Sequence, residues 1–162
     1  MGRIKKHLLG FEFLKVGTFS FADTPCQLKT WVSEIVLNLT DVRYEKIGET
    51  LYFITRGEDI VYIGEFTYTL KNRWLSKGYV VHHIYDKLAE ALREGTELAM
   101  WVAVSPYVDI PQMGELNISK SLEQKMIKHF KPGWNKRNRY SADNENWVTK
   151  HCLRLEKLLA MS

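Results

Sequence analysis

Leu28, Trp31, Val32, Ile35 and Leu39 recur at helical spacing behind Thr24-Pro25-Cys26-Gln27. Thr suits an N-cap there, Pro the first turn and Gln a capping box, so the pattern predicts a helix from Thr24 through Leu39 with one buried face. The pattern then changes period. Thr50–Arg56 (TLYFITR) and Asp59–Gly64 (DIVYIG) are rich in β-branched and aromatic residues and are joined by a short Gly-containing link, which predicts a β-hairpin. Thr69–Ser76 is polar and helix-compatible. Val81, Ile84, Leu88 and Leu92 mark an amphipathic helix that stops near Gly95. Glu97–Val104 (ELAMWVAV) reads as a buried strand, and Ser105–Leu116, with Pro106, Pro111 and Gly114, reads as a loop. Ser121–Phe130 predicts a helix stopped by Pro132-Gly133, and Trp147–Leu159 predicts a last helix. The expected fold class is α/β in the α+β sense: a small central mixed or antiparallel sheet flanked by helices. Residues 1–48 are expected to form a helical N-terminal extension, 49–135 the core and 136–162 a C-terminal helix, all in one domain.

Composition changes this picture little. The chain has 162 residues, 45% hydrophobic and 26% charged, which suits one globular domain with a real core. The longest apolar run, Leu98–Val104, is too short for a membrane span. No signal-peptide core follows the basic N-terminus, and Cys26 and Cys152 lie far apart, so an intracellular, cytoplasmic protein with free thiols is expected.

Charge changes it more. The net charge is only +4, but it is unevenly placed. Lys120, Lys125, Lys128, Lys131, Lys136, Arg137 and Arg139 share the stretch Lys120–Tyr140 with one acid, Glu123, giving that window +6 and the rest of the chain −2. Lys71, Arg73 and Lys77 form a smaller basic cluster. Two solvated helix faces or a phosphate-binding surface built from two segments both account for this.

Glu123 stands out within the basic window. Met126, Ile127 and Phe130 follow it at i+3, i+4 and i+7, so it occupies the apolar face of its helix. A carboxylate there needs a cation, a metal or a position at the rim. A lone acid among cations suits metal-assisted phosphodiester chemistry, in which an ion bridges the carboxylate and a phosphate. Tyr52 and Tyr62 lie on adjacent strands of the hairpin, and Arg73 follows in the next predicted helix. Strand tyrosines are commonly core residues and a surface Arg is commonly just solvated. Together with Glu123, however, they would supply proton handling and charge stabilisation.

This set resembles the GIY-YIG nuclease family. Tyr62-Ile63-Gly64 carries the second motif intact, and Thr50-Leu51-Tyr52 stands in place of the first, keeping its Tyr. Leu70-Lys71-Asn72-Arg73-Trp74 is similar to the family's arginine helix. Leu122-Glu123 through Ile127, then Phe130, Pro132, Trp134 and Asn135, is similar to its glutamate helix and the turn that follows. The resemblance implies a divalent-metal DNA endonuclease acting on double-stranded DNA, of restriction or phage type and acting as a homodimer or higher oligomer. Glu123 would ligate Mg²⁺ or Mn²⁺, Arg73 would stabilise charge on the phosphate, and Tyr52 would act as base or hold the attacking water. Tyr62 would share that network, and Asn135 would position the glutamate loop or a phosphate. Lys71, Lys125, Lys128, Lys136, Arg137 and Arg139 would bind the DNA backbone. Lys77 stands four residues after Arg73, where members often carry His, so Lys77 or one of His82 and His83 would assist the tyrosine. A non-catalytic nucleic-acid-binding module on the same fold is the alternative.

Overall fold

The computed structural model describes residues 2–23 and 34–135. The chain opens with strands β1 (Lys5–Leu8), β2 (Phe11–Phe21) and β3 (Ile35–Leu39), then a 3₁₀ turn at Val42–Lys46. Strands β4 (Gly48–Arg56) and β5 (Asp59–Thr69) form the hairpin expected from the sequence, longer at both outer ends. A five-residue helix α1 (Leu70–Trp74) runs into a small hairpin of β6 (Leu75–Ser76) and β7 (Tyr79–Val80). Helix α2 (Tyr85–Arg93), strand β8 (Leu98–Ala103), the hairpin β9 (Tyr107–Ile110) and β10 (Gly114–Asn117), and helix α3 (Ser119–Phe130) complete the described chain. None of the described helices is long and apolar enough to cross a membrane.

The main sheet runs β1–β2–β8–β4–β5, with β3 beside the far end of β2, and every described pairing is antiparallel. All six residues of β8 are buried, because this strand has a neighbour on each side and packing on each face. Period-2 alternation then sorts the flanking strands. Leu14, Tyr52, Ile54, Tyr62 and Phe66 face one layer, with Leu70 and Trp74 of α1 and Leu88 of α2. Phe13, Leu51, Phe53, Ile63 and Trp101 face the other, with Leu122, Met126 and Ile127 of α3. The sheet is therefore covered on both sides, and β5 is its edge strand.

Four expectations are corrected here. The described part of residues 1–48 is not a helical extension: three strands from it join the main sheet, so the expected core of 49–135 is incomplete without them. The helix expected through Leu39 is contradicted at its end, since Ile35, Leu37 and Leu39 alternate on a strand paired with Phe21–Gly17; residues 24–33 lie outside the described residues. Those apolar positions fit a period of 2 as well as 3.6, and pairing with β2 decides between them. Ser105–Leu116 is not a plain loop. Pro111 and Gln112, whose φ is +66°, make a tight turn closed by Met113 N donating to Ile110 O at 3.0 Å, and this turn carries the hairpin β9–β10. Val81 is exposed and lies before α2, which begins only at Tyr85. The last helix, Trp147–Leu159, falls outside the described residues.

Candidate functional site

The site is built on the β4–β5 hairpin. Tyr52 pairs with Gly64 across the two strands. A Cβ at Gly64 would lie 2.6 Å from Tyr52 Oη, so the ring occupies the space that a side chain would fill. Tyr52 is fully buried, stacked on Phe66 with ring centroids 4.4 Å apart, and edge-on to Trp74 at 5.6 Å. Tyr62 faces the same layer as the sequence implied, its ring 6.1 Å from that of Tyr52. The hydroxyl of Tyr62 meets His83 Nε2 at 3.5 Å.

Glu123 arrives from the opposite layer. It lies in the buried stripe of α3 with Leu122, Met126 and Ile127 and is 5% exposed, which matches its placement on the apolar face. The helix stops where expected: Lys131 takes a left-handed φ of +49° and returns its N–H to Ile127 O. The following turn brings Trp134 N to Val61 O at 2.9 Å. Asn135 then clamps the edge strand with both ends of its amide. Its Oδ1 accepts from Ile63 N at 2.9 Å and its Nδ2 donates to Ile63 O at 2.8 Å. These bonds satisfy groups that an edge strand would otherwise leave open, and they tie α3 to the Tyr62-Ile63-Gly64 triplet.

Beyond Ile63 no described strand pairs with the outer edge of β5, and a cleft of about 480 Å³ lies there. It wraps around the edge strand. Arg73 and Asn72 line it from α1, His83 from the segment before α2, and Glu123 and Asn135 from the α3 side. Tyr62, Gly64, Glu65, Thr67, Tyr68 and Thr69 of β5 form its floor and rim. Four residues singled out for catalysis, Tyr62, Arg73, His83 and Glu123, thus share one cleft although they come from separate stretches of chain.

Other expected site residues are placed elsewhere. Tyr52 lies behind Tyr62 and does not line the cleft. Lys77 is displaced from any catalytic position because the helix ends at Trp74. Lys77 and Gly78, with φ of +51° and +83°, form the tip of the β6–β7 turn, so four residues beyond Arg73 is no longer one helical turn above it. His83 enters the cleft instead. Lys71 is exposed, with its Nζ 3.8 Å from Glu45 Oε2. Lys125 and Lys128 lie on the exposed face of α3, outside the cleft lining. The amide of Asn135 is engaged by Ile63, which fits a positioning role and not phosphate binding. Lys136, Arg137 and Arg139 lie outside the described residues. Glu65, Thr67, Tyr68, Thr69 and Asn72 were missed in the sequence. Their only signal is position, directly after the intact triplet, and it becomes readable once β5 is known to continue to Thr69 at a sheet edge.

Electrostatics separate the two tyrosines from the histidines. Burial raises the Tyr52 hydroxyl well above its ordinary value, reinforced by Tyr62, while Arg73 and Trp74 act weakly in the other direction. Its Oη makes no hydrogen bond of normal geometry among the described residues. Burial also raises Tyr62, opposed chiefly by Arg73, with Glu123 adding to the rise. Both are therefore neutral at ordinary pH. His82 stacks on Trp74 with centroids 3.9 Å apart, and burial, with help from His83 and Arg73, lowers its pKa to about 3. His82 is thus a neutral packing residue behind the cleft, and His83 is the imidazole at its surface.

The donor set can be compared with the needs of a metal. No group of three or more His, Cys, Asp or Glu is gathered among the described residues. Glu123 and Glu65 are the carboxylates that line the cleft; a hard cation such as Mg²⁺ or Mn²⁺ binds through one or two carboxylates plus substrate phosphates, whereas a metal held wholly by protein needs more ligands than these. Comparison with family models, curated proteins and solved structures finds no match to this chain.

Proposed function

We propose that the chain is a divalent-metal-dependent DNA endonuclease whose catalytic groups are Tyr62, Arg73, His83 and Glu123. The observation that carries this reading is their convergence, from both faces of the sheet, on one cleft at the outer edge of β5. The resemblance to GIY-YIG nucleases supports the same reading, since Tyr62 and Gly64 of the intact triplet, the arginine and the glutamate all border that cleft. Double-stranded DNA is the proposed substrate, and a homodimer the proposed form for cutting both strands.

Each residue has a definite task in this proposal. Glu123 would hold Mg²⁺ or Mn²⁺, and the ion would supply Lewis-acid charge neutralisation at the phosphate. The Arg73 guanidinium, exposed at the cleft wall, binds the phosphate and stabilises the charge that builds on it. The Tyr62 hydroxyl orients the attacking water. In the tautomer that leaves Nε2 unprotonated, its contact with His83 gives the proton an acceptor, which a neutral buried phenol alone does not provide. The 3.5 Å separation is long, as catalytic hydrogen bonds often are before substrate tightens them. Tyr52 acts at one remove, by fixing the ring of Tyr62 from behind.

A second reading, a nucleic-acid-binding module without catalysis, is favoured by one observation: Tyr52, the residue retained from the first triplet, is sealed from the cleft. Incubation with supercoiled plasmid in Mg²⁺ or EDTA separates the two. Metal-dependent nicking or linearisation is expected for the natural sequence and for Lys77→Ala. Loss of at least about a hundredfold is expected for Arg73→Ala and Glu123→Gln, by analogy with removal of a single charge-stabilising group. Cleavage that survives both of those changes refutes the assignment. Salt-sensitive binding with no cleavage on any DNA favours the binding module.

A further inference from the structure

β5 breaks its own alternation where it borders the cleft. Phe66 is buried, yet Thr67 and Tyr68 are both exposed, and Tyr68 reaches 77% exposure although it is a large aromatic residue. The pairing register explains this. Thr50 sits opposite Phe66 and Gly48 opposite Thr69, so Thr67 and Tyr68 together face the single residue Glu49. That is a β-bulge, a device that re-aims side chains and recurs beside active sites.

The bulge is firmly held. A Cβ at Gly48 would lie 2.0 Å from Tyr68 O, so only glycine allows β4 to approach the bulged backbone. Glu49 adopts a left-handed φ of +49°, unusual for a non-glycine residue. Its carbonyl accepts from Asn117 Nδ2 at 2.6 Å and Ser119 Oγ at 3.2 Å. The start of α3, the helix that delivers Glu123, is thereby bonded to the strand residue opposite Tyr68.

We infer that Tyr68 is a stacking platform for an unstacked nucleobase, which makes the substrate a DNA with an unpaired or extruded nucleotide beside the scissile phosphate. The inference rests on the nuclease reading for the identity of the ligand. Its own support is the bulge, the exposure of Tyr68 and its place in the cleft that holds Arg73 and Glu123. An exposed phenol ring stacks on any base, because every base offers a π-face. The neighbouring groups can read the base edge. The Thr69 hydroxyl donates to Asn72 Oδ1, which leaves the Asn72 amide nitrogen to donate into the cleft, and Glu65 offers an acceptor. The cleft volume of about 480 Å³ falls in the range of small-ligand pockets and suits one nucleotide extruded from a duplex.

The test uses the full chain carrying Glu123→Gln, in Mg²⁺, with a single-stranded oligonucleotide containing 2-aminopurine and the same strand fully paired. Binding of the unpaired strand is expected to quench the 2-aminopurine emission. Tyr68→Ala should remove the quenching and weaken binding roughly ten- to a hundredfold, the range of one lost base–aromatic stack. Tyr68→Phe should retain both. Because Tyr68 is exposed, the melting temperature serves as a check that Tyr68→Ala is folded. Equal quenching and affinity for the parent and Tyr68→Ala overturn the inference. No metal-dependent plasmid cleavage by the natural sequence, with quenching still dependent on Tyr68, overturns the nuclease reading and leaves the stacking site standing.

Discussion

Gly64→Ala tests the core of the site most directly. The added methyl would meet Tyr52 Oη at 2.6 Å, Cζ at 2.7 Å and Cε1 at 3.1 Å. An exposed ring would swing aside, but Tyr52 is enclosed by Phe66, Trp74 and Tyr62 and has no solvent-exposed surface. Either the ring or the β4–β5 pairing must shift. Overpacking of this kind costs about 1–3 kcal/mol. In a protein of this length that corresponds to a melting temperature about 2–12 °C lower. Urea unfolding of Gly64→Ala, Tyr52→Leu and the double variant isolates the cause. Tyr52→Leu removes Oη and Cζ, so in that background Gly64→Ala should cost at least about 1 kcal/mol less than it does in the natural sequence. Tyr52→Phe should bring little relief, because Cζ remains. Additive single effects, or a Gly64→Ala protein as stable as the parent, would refute the steric argument. Because Tyr52 backs Tyr62, a shifted ring should also slow any cleavage while leaving Arg73 in place.

Two other outcomes follow from the same geometry. Asn135→Leu should leave Ile63 N–H and C=O without partners and destabilise the chain by about 1–3 kcal/mol; faster hydrogen exchange at the Ile63 amide is the specific readout, and unchanged protection there would contradict the clamp. His82 has a folded pKa of about 3 against an ordinary 6.5, so the unfolded chain binds its proton first as pH falls. The stability tied to neutral His82 is complete above about pH 6.5 and is lost as pH drops from there towards 3. His82→Gln should flatten the acid side of a plot of melting temperature against pH, and an unaltered slope would place the acid sensitivity elsewhere.

The sequence and the tertiary structure contribute differently to this protein. Signals confined to one segment were legible. The apolar spacing around Glu123 placed a carboxylate on the buried stripe of α3, and Pro132 marked its end. The β-branched and aromatic runs specified the β4–β5 hairpin and put Tyr52 and Tyr62 in one layer. Each of these depends on side-chain period or backbone chemistry within a dozen residues. Signals that depend on which segments pair were not legible. Ile35–Leu39 fits two periods, and only hydrogen bonding to β2 makes it a strand. Lys77 stood at a helical distance from Arg73, but the chain turns away at Leu75 and its pairing with β7 brings His83 back to the cleft. No local pattern reveals that β5 is an edge strand, or that two residues face one at Thr67–Tyr68. Those are properties of the register between strands, and they decide where the cleft opens and which side chains meet in it. Local order along the chain supplied the chemical groups and the faces they occupy; long-range strand pairing brought them to one place, because a sheet edge is defined only by the neighbours that a strand lacks.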